Sequence, residues 1–217
     1  MAKVIVTGAT GLVGGAVLAR ALSHPAVTQV VALGRRPAGI ADPRLSDLVV
    51  DDFLNLAPVE GALEGAALCC HCLAAYIQRT SRAEYRRITI DYLAQFLSVL
   101  ERVAPEAAFV TFTTEGTRQD GRSWIHTLNV KGEAERLVLG SRLPRRYVFR
   151  PGYIHPSQPR ARPVFYDLAM KPVFRLMPAI GIESADLGRA MIETGLNDPR
   201  PQAVIENREI RAIAGVS

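Results

Sequence analysis

The first fifteen residues constrain the fold more than any other stretch of this chain. The run Lys3-Val4-Ile5-Val6 is mostly apolar and β-branched, and it leads into glycines at positions 8, 11 and 14. The run from Ala16 to Leu22 that follows is compatible with a helix. A strand, a tight turn and a helix in this order are typical of the first unit of a nucleotide-binding α/β fold.

The glycine spacing has a physical reason in such folds. Gly8 would let the chain turn sharply off the strand, and Gly14 would let the helix lie close to the sheet. Gly11 would remove the side chain where a pyrophosphate approaches the N–H groups of the helix start, which carry partial positive charge. Glycines also serve in plain turns, so a plain α/β turn is the alternative. The residues predicted to bind the cofactor here are Gly8, Thr10, Gly11, Leu12, Val13 and Gly14.

A second buried strand, Gln29 to Leu33, ends in Gly34-Arg35-Arg36. In dinucleotide folds this strand end carries an acid when the ribose has a free 2′-OH, and arginine when it bears a phosphate. The sequence therefore predicts NADPH as the cofactor, with Arg35 and Arg36 on its 2′-phosphate. The alternative is a pair of solvated arginines after an ordinary turn.

The segment Thr7-Gly8-Ala9-Thr10-Gly11-Leu12-Val13-Gly14 resembles the TGxxGxxG signature of the extended and atypical short-chain dehydrogenase/reductases. The chain is most similar to the small NADPH-binding oxidoreductases related to the Tat-interacting protein. The resemblance implies one Rossmann-like domain over residues 1–217, with a small substrate lobe contributed mainly by residues 153–183.

The alternation of strands and helices favours the same fold class, an α/β doubly wound parallel sheet with a small C-terminal lobe. No run reaches 18 uninterrupted apolar residues, so no transmembrane helix is expected. The chain enters a strand within three residues, which leaves no room for a secretory signal. Cys69, Cys70 and Cys72 are too close together to join distant parts of the fold, so we expect reduced thiols and a cytoplasmic location.

No metal site is predicted, because His71 and its cysteine neighbours alternate across a strand and do not converge. The net charge of +5 suits an anionic ligand. The basic residues are scattered, and no nucleic-acid-binding module contains them.

Two further strand ends are predicted to contact the cofactor. Asp52, after the strand Leu48–Val50, could accept a hydrogen bond from the adenine amino group with Phe53 beside the ring. A loop acid that caps the next helix explains Asp52 equally well. Leu73 and Ala74 lie near the end of a buried strand predicted over residues 66–75, and the cofactor would pass closely over them. The family that the chain resembles commonly has glycine where Ala74 stands.

The candidate catalytic residues follow a fifth strand, Ala107–Phe112, and lie on a helix predicted over residues 124–135. The family carries a Ser or Thr at that strand end and Tyr-x-x-x-Lys on the helix. The resemblance implies that Thr113 or Thr114 hydrogen-bonds a carbonyl and that Lys131 holds the nicotinamide ribose. Thr127 stands where the tyrosine belongs, and its hydroxyl is a far weaker acid than a phenol.

The last part of the chain is predicted to complete the site. A sixth strand over residues 146–154 contains Pro151, Gly152 and Tyr153, and the resemblance implies that this segment passes beside the nicotinamide. Tyr153 could supply a phenol from a new position. Residues 155–182 are rich in proline and are predicted to form a small lid with a helix over 164–177, in preference to a membrane-surface helix. Other predicted elements are a helix over 88–103, a helix over 186–192 capped by Ser184, and a strand over 203–206.

The pattern as a whole predicts an atypical NADPH-dependent oxidoreductase acting on a small carbonyl or alcohol substrate. The missing tyrosine also leaves open a module that senses NADPH and binds a protein partner without turnover. A nucleotide-sugar epimerase or dehydratase is disfavoured, because the segment after Gly152 looks short for gripping a second large nucleotide.

Overall fold

The centre of the fold is a seven-stranded sheet in which every pairing is parallel. A computed structural model of the chain describes residues 1–75, 80–157 and 178–216. The strands lie in the order β3-β2-β1-β4-β5-β6-β9. Their bounds are β1 Ala2–Thr7, β2 Val27–Gly34, β3 Leu45–Val49, β4 Leu68–His71, β5 Ala108–Phe112, β6 Arg145–Arg150 and β9 Gln202–Glu206.

A second sheet is small and has two parallel strands, β7 Tyr153–His155 and β8 Gly181–Glu183. The helices are α1 Leu12–Ser23, α2 Arg82–Arg86, α3 Tyr92–Val103, α4 His126–Leu139, α5 Ser184–Asn197 and α6 Asn207–Ala214. A π turn, Arg87–Asp91, joins α2 to α3, and short 3₁₀ turns cover Ala57–Ala62 and Pro178–Ile180.

Helices cover both faces of the large sheet. Successive side chains of a strand point to opposite faces, so the apolar strands contribute to two cores. Val4 and Val6 pack in the core beneath α1, α5 and α6. Ile5, between them, packs in the other core, beneath α3 and α4. The predicted fold class, a doubly wound parallel α/β sheet, is confirmed.

Several predicted boundaries shift for local reasons. The strand predicted over 146–154 divides at Pro151, which has no N–H for a sheet, and its second half becomes β7. Ser184 is the first residue of α5 and makes no side-chain cap there. Its hydroxyl instead bonds the Ser157 hydroxyl at 3.2 Å. Helix α6 lies in a tail for which no element was predicted.

The predicted lobe lies largely outside the described residues, and the helix predicted over 164–177 lies wholly outside them. Among the residues that the structure does describe, no helix is both long enough and apolar enough to cross a membrane.

Candidate nucleotide-binding and catalytic site

The glycine turn after β1 is packed so closely that side chains would collide there. Gly8 has a φ of +67°, and a Cβ on it would lie 2.6 Å from the carbonyl oxygen of Cys72. A Cβ on Gly14 would lie 2.1 Å from the carbonyl oxygen of Gly8. A Cβ on Gly11 would meet only that same oxygen, at 3.0 Å. The turn therefore leaves no room for side chains at Gly8 and Gly14, whereas the backbone at Gly11 is accessible. An anion bound by backbone N–H groups requires such access.

The start of α1 leaves its first N–H groups to be satisfied from outside the helix. Gly11 is the N-cap residue, no side chain caps the helix, and the first turn contains no acid. Thr10 and Gly11 are exposed, whereas Val13 and Gly14 are buried. The N–H groups of a first helical turn have no intrahelical acceptor. The glycine turn and the uncapped start of α1 thus fit the pyrophosphate group of a dinucleotide.

Arg35 and Arg36 lie directly after β2 and are both exposed. Neither forms an ion pair with the residues that the structure describes. The backbone just after them is held in place, because a carboxylate oxygen of Asp47 accepts hydrogen bonds from the N–H groups of Ala38, at 2.6 Å, and Gly39, at 3.3 Å. Two guanidinium groups are consequently available to a phosphate at this edge of the sheet.

The two residues predicted to contact the adenine differ in their surroundings. Asp52 is half-buried, accepts a hydrogen bond from the N–H of Leu54 at 3.0 Å, and lies 3.5 Å from the Arg87 guanidinium. The Phe53 side chain is only 1% exposed and packs with Tyr92 in the core, with 5.7 Å between ring centroids. This placement corrects the expectation of a Phe53 ring beside the adenine, since the core already surrounds that ring.

The end of β4 is tied to the end of β1 by a buried polar contact. The Thr7 hydroxyl accepts a hydrogen bond from the N–H of Cys72 at 3.1 Å and lies 3.2 Å from Nδ1 of His71. Burial lowers the pKa of His71 to about 4, so the imidazole is neutral at pH 7. Beyond this contact, Leu73 is half-buried and Ala74 is exposed, which places them beside the glycine turn at the strand edge.

Of the two threonines after β5, Thr113 faces the protein interior. It is 5% exposed, and its hydroxyl donates a hydrogen bond to Oε1 of Glu135 at 2.7 Å. Thr114 is half-buried. The Thr113 hydroxyl thus already donates to Glu135, which favours Thr114 over Thr113 for the predicted hydrogen bond to a carbonyl.

Lys131 reaches the same strand end from α4. Its Nζ donates a hydrogen bond to the carbonyl oxygen of Thr113 at 3.3 Å. Burial lowers the pKa of Lys131 to about 8, and the negative charge of Glu135 works against this shift. Thr127 is half-buried one turn before Lys131, and His126, the first residue of the helix, is exposed.

Sequence reasoning missed the carboxylate at the centre of this region. The Glu135 side chain is completely buried. It accepts hydrogen bonds from the Thr113 hydroxyl, from Gln119 at 2.8 Å, and from two nitrogens of Arg150 at 2.9 and 2.6 Å. Arg150 also pairs with Glu206 at 2.9 Å. The available signal was the spacing of Lys131 and Glu135, because residues four apart share a helix face.

The residues after β6 are held by close backbone packing. A Cβ on Gly152 would lie 2.2 Å from the carbonyl oxygen of Ile180. The Asn207 side chain accepts from the N–H of Gly152 at 3.1 Å and donates to the carbonyl of Ala179 at 2.9 Å. Pro151 is buried and Tyr153 is half-buried in β7. Asn207, at the start of the unpredicted helix α6, was also missed.

The site residues come together because the sheet is parallel. Gly8, Arg35, Leu73, Thr113 and Pro151 each follow the carboxyl end of a strand. In an open α/β sheet these ends form one edge, where ligands bind. The three cysteines lie away from this chemistry as buried, free thiols, and burial raises the pKa of each. Within the described residues, no group of His, Cys, Asp and Glu is arranged to hold a metal ion.

Comparisons with known proteins identify the class of fold. The structure of MoeE5 in complex with UDP-glucose and NAD superposes with a TM-score of 0.72 at 20% identity, covering 98% of this chain and 81% of that one. The structure of WbmG of Bordetella bronchiseptica in complex with NAD superposes with a TM-score of 0.70 at 15% identity, covering 94% of this chain and 72% of that one. The chain thus has the Rossmann-like α/β fold of these NAD-bound proteins.

Similar sequences come from fungi. The chain is 26% identical over 168 residues to the protein fmp52-1, mitochondrial, of Aspergillus terreus, which covers 76% of this chain and 72% of the relative. It is 24% identical over 213 residues to the protein fmp52, mitochondrial, of Emericella nidulans, and the match covers 90% of this chain and 88% of the relative. No family model matches the chain. The predicted cytoplasmic location is wrong by this comparison, because these relatives are named as mitochondrial proteins.

Proposed function

We propose that this chain is an atypical oxidoreductase that binds NADPH and transfers a hydride between it and a small carbonyl or alcohol substrate. The observation that carries this proposal is the turn from Gly8 to Gly14. The turn is closed to side chains, opens over Gly11 and leads into an uncapped helix. The NAD complexes of the proteins with the same fold support a nicotinamide dinucleotide in this position.

The preference for NADPH rests on charge. Arg35 and Arg36 are exposed at the end of β2, where a dinucleotide fold holds the adenine ribose. A 2′-phosphate would gain two charge-assisted hydrogen-bond partners there, whereas a free 2′-OH would meet two cations and no acceptor carboxylate.

The remaining residues are assigned by their place along the same edge. Asp52 would accept from the adenine amino group, and the dinucleotide would pass Leu73 and Ala74. Pro151, Gly152 and Tyr153 would border the nicotinamide. Lys131 would hold the nicotinamide ribose, and Thr114 would donate a hydrogen bond to the substrate carbonyl. When bound, NADPH supplies the hydride.

Calorimetric titration tests the cofactor assignment. We expect NADPH to bind at least about tenfold more tightly than NADH, since each charge-assisted contact contributes on the order of 1 kcal/mol or more. The double variant Arg35→Ala/Arg36→Ala should lose this preference and keep its NADH affinity. The control is Arg142→Ala, an exposed arginine in the loop before β6, at the opposite edge of the sheet. Equal affinities of the unaltered protein for the two cofactors would refute the arginine assignment.

Thr127 favours a second candidate, a module that binds NADPH and signals to a protein partner without turnover. A threonine four residues before Lys131 leaves the usual proton donor of the family absent. NADPH oxidation across a panel of aldehydes and ketones, abolished in Lys131→Ala with cofactor binding retained, would exclude this candidate. Tight NADPH binding with no oxidation by any carbonyl would favour it.

We also infer a mitochondrial location from the names of the fungal relatives. Fractionation of cells that produce the chain with a C-terminal tag tests this. Recovery with the mitochondrial marker is expected, and recovery only with the cytosolic marker would contradict it.

A further inference from the structure

We propose that the ammonium group of Lys131 donates the proton that carbonyl reduction requires. The buried Glu135–Arg150 pair supports it by holding Thr113, whose hydroxyl donates to Glu135 and whose carbonyl oxygen accepts from Lys131. This inference rests on the NADPH-dependent reduction proposed above. It gives Lys131 a chemical role in addition to binding the ribose, because the residue that would normally supply the proton is absent.

The position of Nζ is the first support. Its hydrogen bond to the Thr113 carbonyl, at 3.3 Å, fixes the ammonium at the carboxyl end of β5. The next residue is the half-buried Thr114, to which the proposed function assigns the hydrogen bond to the substrate carbonyl. An ammonium has three donor hydrogens, so Nζ can keep this backbone contact, bind the ribose and still present one N–H to the substrate oxygen.

The replacement of tyrosine by threonine supplies the room for this contact. Thr127 lies one helical turn before Lys131, on the same face of α4. A tyrosine there would place its ring between the lysine and the substrate. The short threonine side chain leaves that space for the carbonyl oxygen to approach Nζ.

The other polar side chains nearby are poorer donors. The hydroxyls of Thr114 and Thr127 are far too weakly acidic. The exposed His126 lies immediately before Thr127. One residue along a helix is a rotation of about 100°, so the His126 side chain points away from the face that carries Thr127 and Lys131. Tyr153 lies in β7 with its ring centroid 6.3 Å from that of His155, and it is the competing donor that the experiment must address.

Burial makes the ammonium of Lys131 a usable acid, and the charge of Glu135 limits the effect. Burial lowers the pKa of Lys131 to about 8, and Glu135 on the same helix face keeps it from falling further. A donor with a pKa near the working pH combines a protonated resting state with easy proton release. The other charged groups on the elements that pack against α4 have partners or lie at the surface. Arg150 pairs with Glu135 and Glu206, Arg86 with Glu133, Arg87 with Asp52, Glu101 with Arg142 and Arg102 with Glu60. Arg145 and Arg146 of β6 donate to the backbone carbonyls of Gly195 and Ser141, and Asp91 is exposed.

The step balances as an ordinary reduction. The carbonyl carbon accepts the hydride that NADPH supplies, and the π electron pair moves to the carbonyl oxygen. That oxygen takes a proton as one N–H bond of the Lys131 ammonium breaks. The products are the alcohol, NADP⁺ and a neutral amine, and the amine regains its proton from water.

The first test needs no catalysis. The chain contains three lysines, at positions 3, 131 and 171, so NMR of ¹⁵N-lysine-labelled protein gives few Nζ signals to titrate. The signal that disappears in Lys131→Arg should titrate with a midpoint near 8. The Lys3 signal, identified by Lys3→Arg, serves to assign the spectrum, and the ordinary lysine pKa is about 10.4. A Lys131 midpoint at that ordinary value would overturn the inference.

Glu135→Gln tests the positioning part in the same titration. Removal of the charge that raises the pKa of Lys131 should move its midpoint below that of the unaltered protein. Glu133→Gln, two residues earlier on the same helix, is the matched control and should leave it unchanged. Equal midpoints in the two variants would overturn the role assigned to Glu135.

The second test follows turnover of para-nitrobenzaldehyde and phenanthrenequinone with NADPH. The kcat should fall as pH rises through about 8, because the donor form is lost there. Lys131→Arg keeps a cation and donors but cannot release a proton, so kcat should drop on the order of 100-fold with NADPH affinity nearly unchanged. Tyr153→Phe should keep the pH profile.

The outcomes separate this inference from the proposed function. Turnover that survives in Lys131→Arg and is lost in Tyr153→Phe would overturn Lys131 as the donor. NADPH binding without turnover of either probe would also overturn it while leaving the cofactor assignment standing. Failure to bind NADPH would instead refute the proposed function itself.

Discussion

Replacing Glu135 by glutamine is the most direct test of what holds the candidate site together. Glu135 is completely buried and accepts four hydrogen bonds, two of them from Arg150. Glutamine has nearly the same shape but loses the charge. It also turns an NH₂ group toward a neighbour that can only donate. The guanidinium of Arg150, whose side chain is 17% exposed, then retains Glu206 as its partner at the rim.

The magnitude follows from burial. Breaking a buried ion pair by altering one partner costs about 3–5 kcal/mol. One glutamine oxygen still accepts and Glu206 still neutralises part of the charge, so we expect a loss of about 3 kcal/mol in the free energy of unfolding. For a domain of this size that corresponds to a fall in Tm of roughly 6–12 °C.

Urea unfolding followed by circular dichroism measures the loss, and Glu133→Gln is the control. Glu133 lies on the same helix and pairs with Arg86, but both side chains are substantially exposed. A pair of that kind contributes about 1 kcal/mol or less. If the two variants lost the same stability, the buried network would not be a structural centre of the site, and the reasoning would fail.

Three further predictions concern the turn after β1 and the contact beside it. Gly14→Ala should destabilise the fold by about 1–3 kcal/mol, because its Cβ would lie 2.1 Å from a carbonyl oxygen, whereas Gly61→Ala, with nothing within 4 Å, should change stability by less than about 0.5 kcal/mol. Comparable losses in the two urea curves would contradict the packing argument. Thr7→Val removes the buried acceptor of a backbone N–H and should cost about 1–3 kcal/mol, against almost nothing for the exposed Thr28→Val. Because the pKa of His71 falls to about 4 on folding, the unfolded chain binds the extra proton, so stability should decline as pH drops from 6.5 toward 4, by up to roughly 3 kcal/mol. In His71→Gln the decline over that interval should be shallower, and an identical slope would show that His71 is not the group responsible.

The sequence was sufficient to predict features that depend on residues close together in the chain. The glycine turn was predictable because three glycines at fixed spacing after an apolar run leave few other conformations. The sheet class was predictable because buried parallel strands and their helices alternate along the chain.

Features that depend on the direction of a side chain were not predictable. Thr113 and Thr114 are equivalent in the sequence, and only the packing of α4 against β5 turns one hydroxyl to Glu135. Phe53 follows a strand-end acid as a ligand-binding aromatic could, yet its ring completes the core. Residue type alone does not separate these alternatives.

The sequence by itself determined the doubly wound sheet, the glycine turn after β1 and the threonine at position 127 in place of a tyrosine, because each depends on neighbouring residues. The tertiary structure alone decided which groups meet at the carboxyl edge. Lys131, Glu135 and Arg150 come from a helix and a strand whose approach is set by the packing of the whole core. The charge and position of the proposed proton donor are therefore properties of the fold and of no single stretch of sequence.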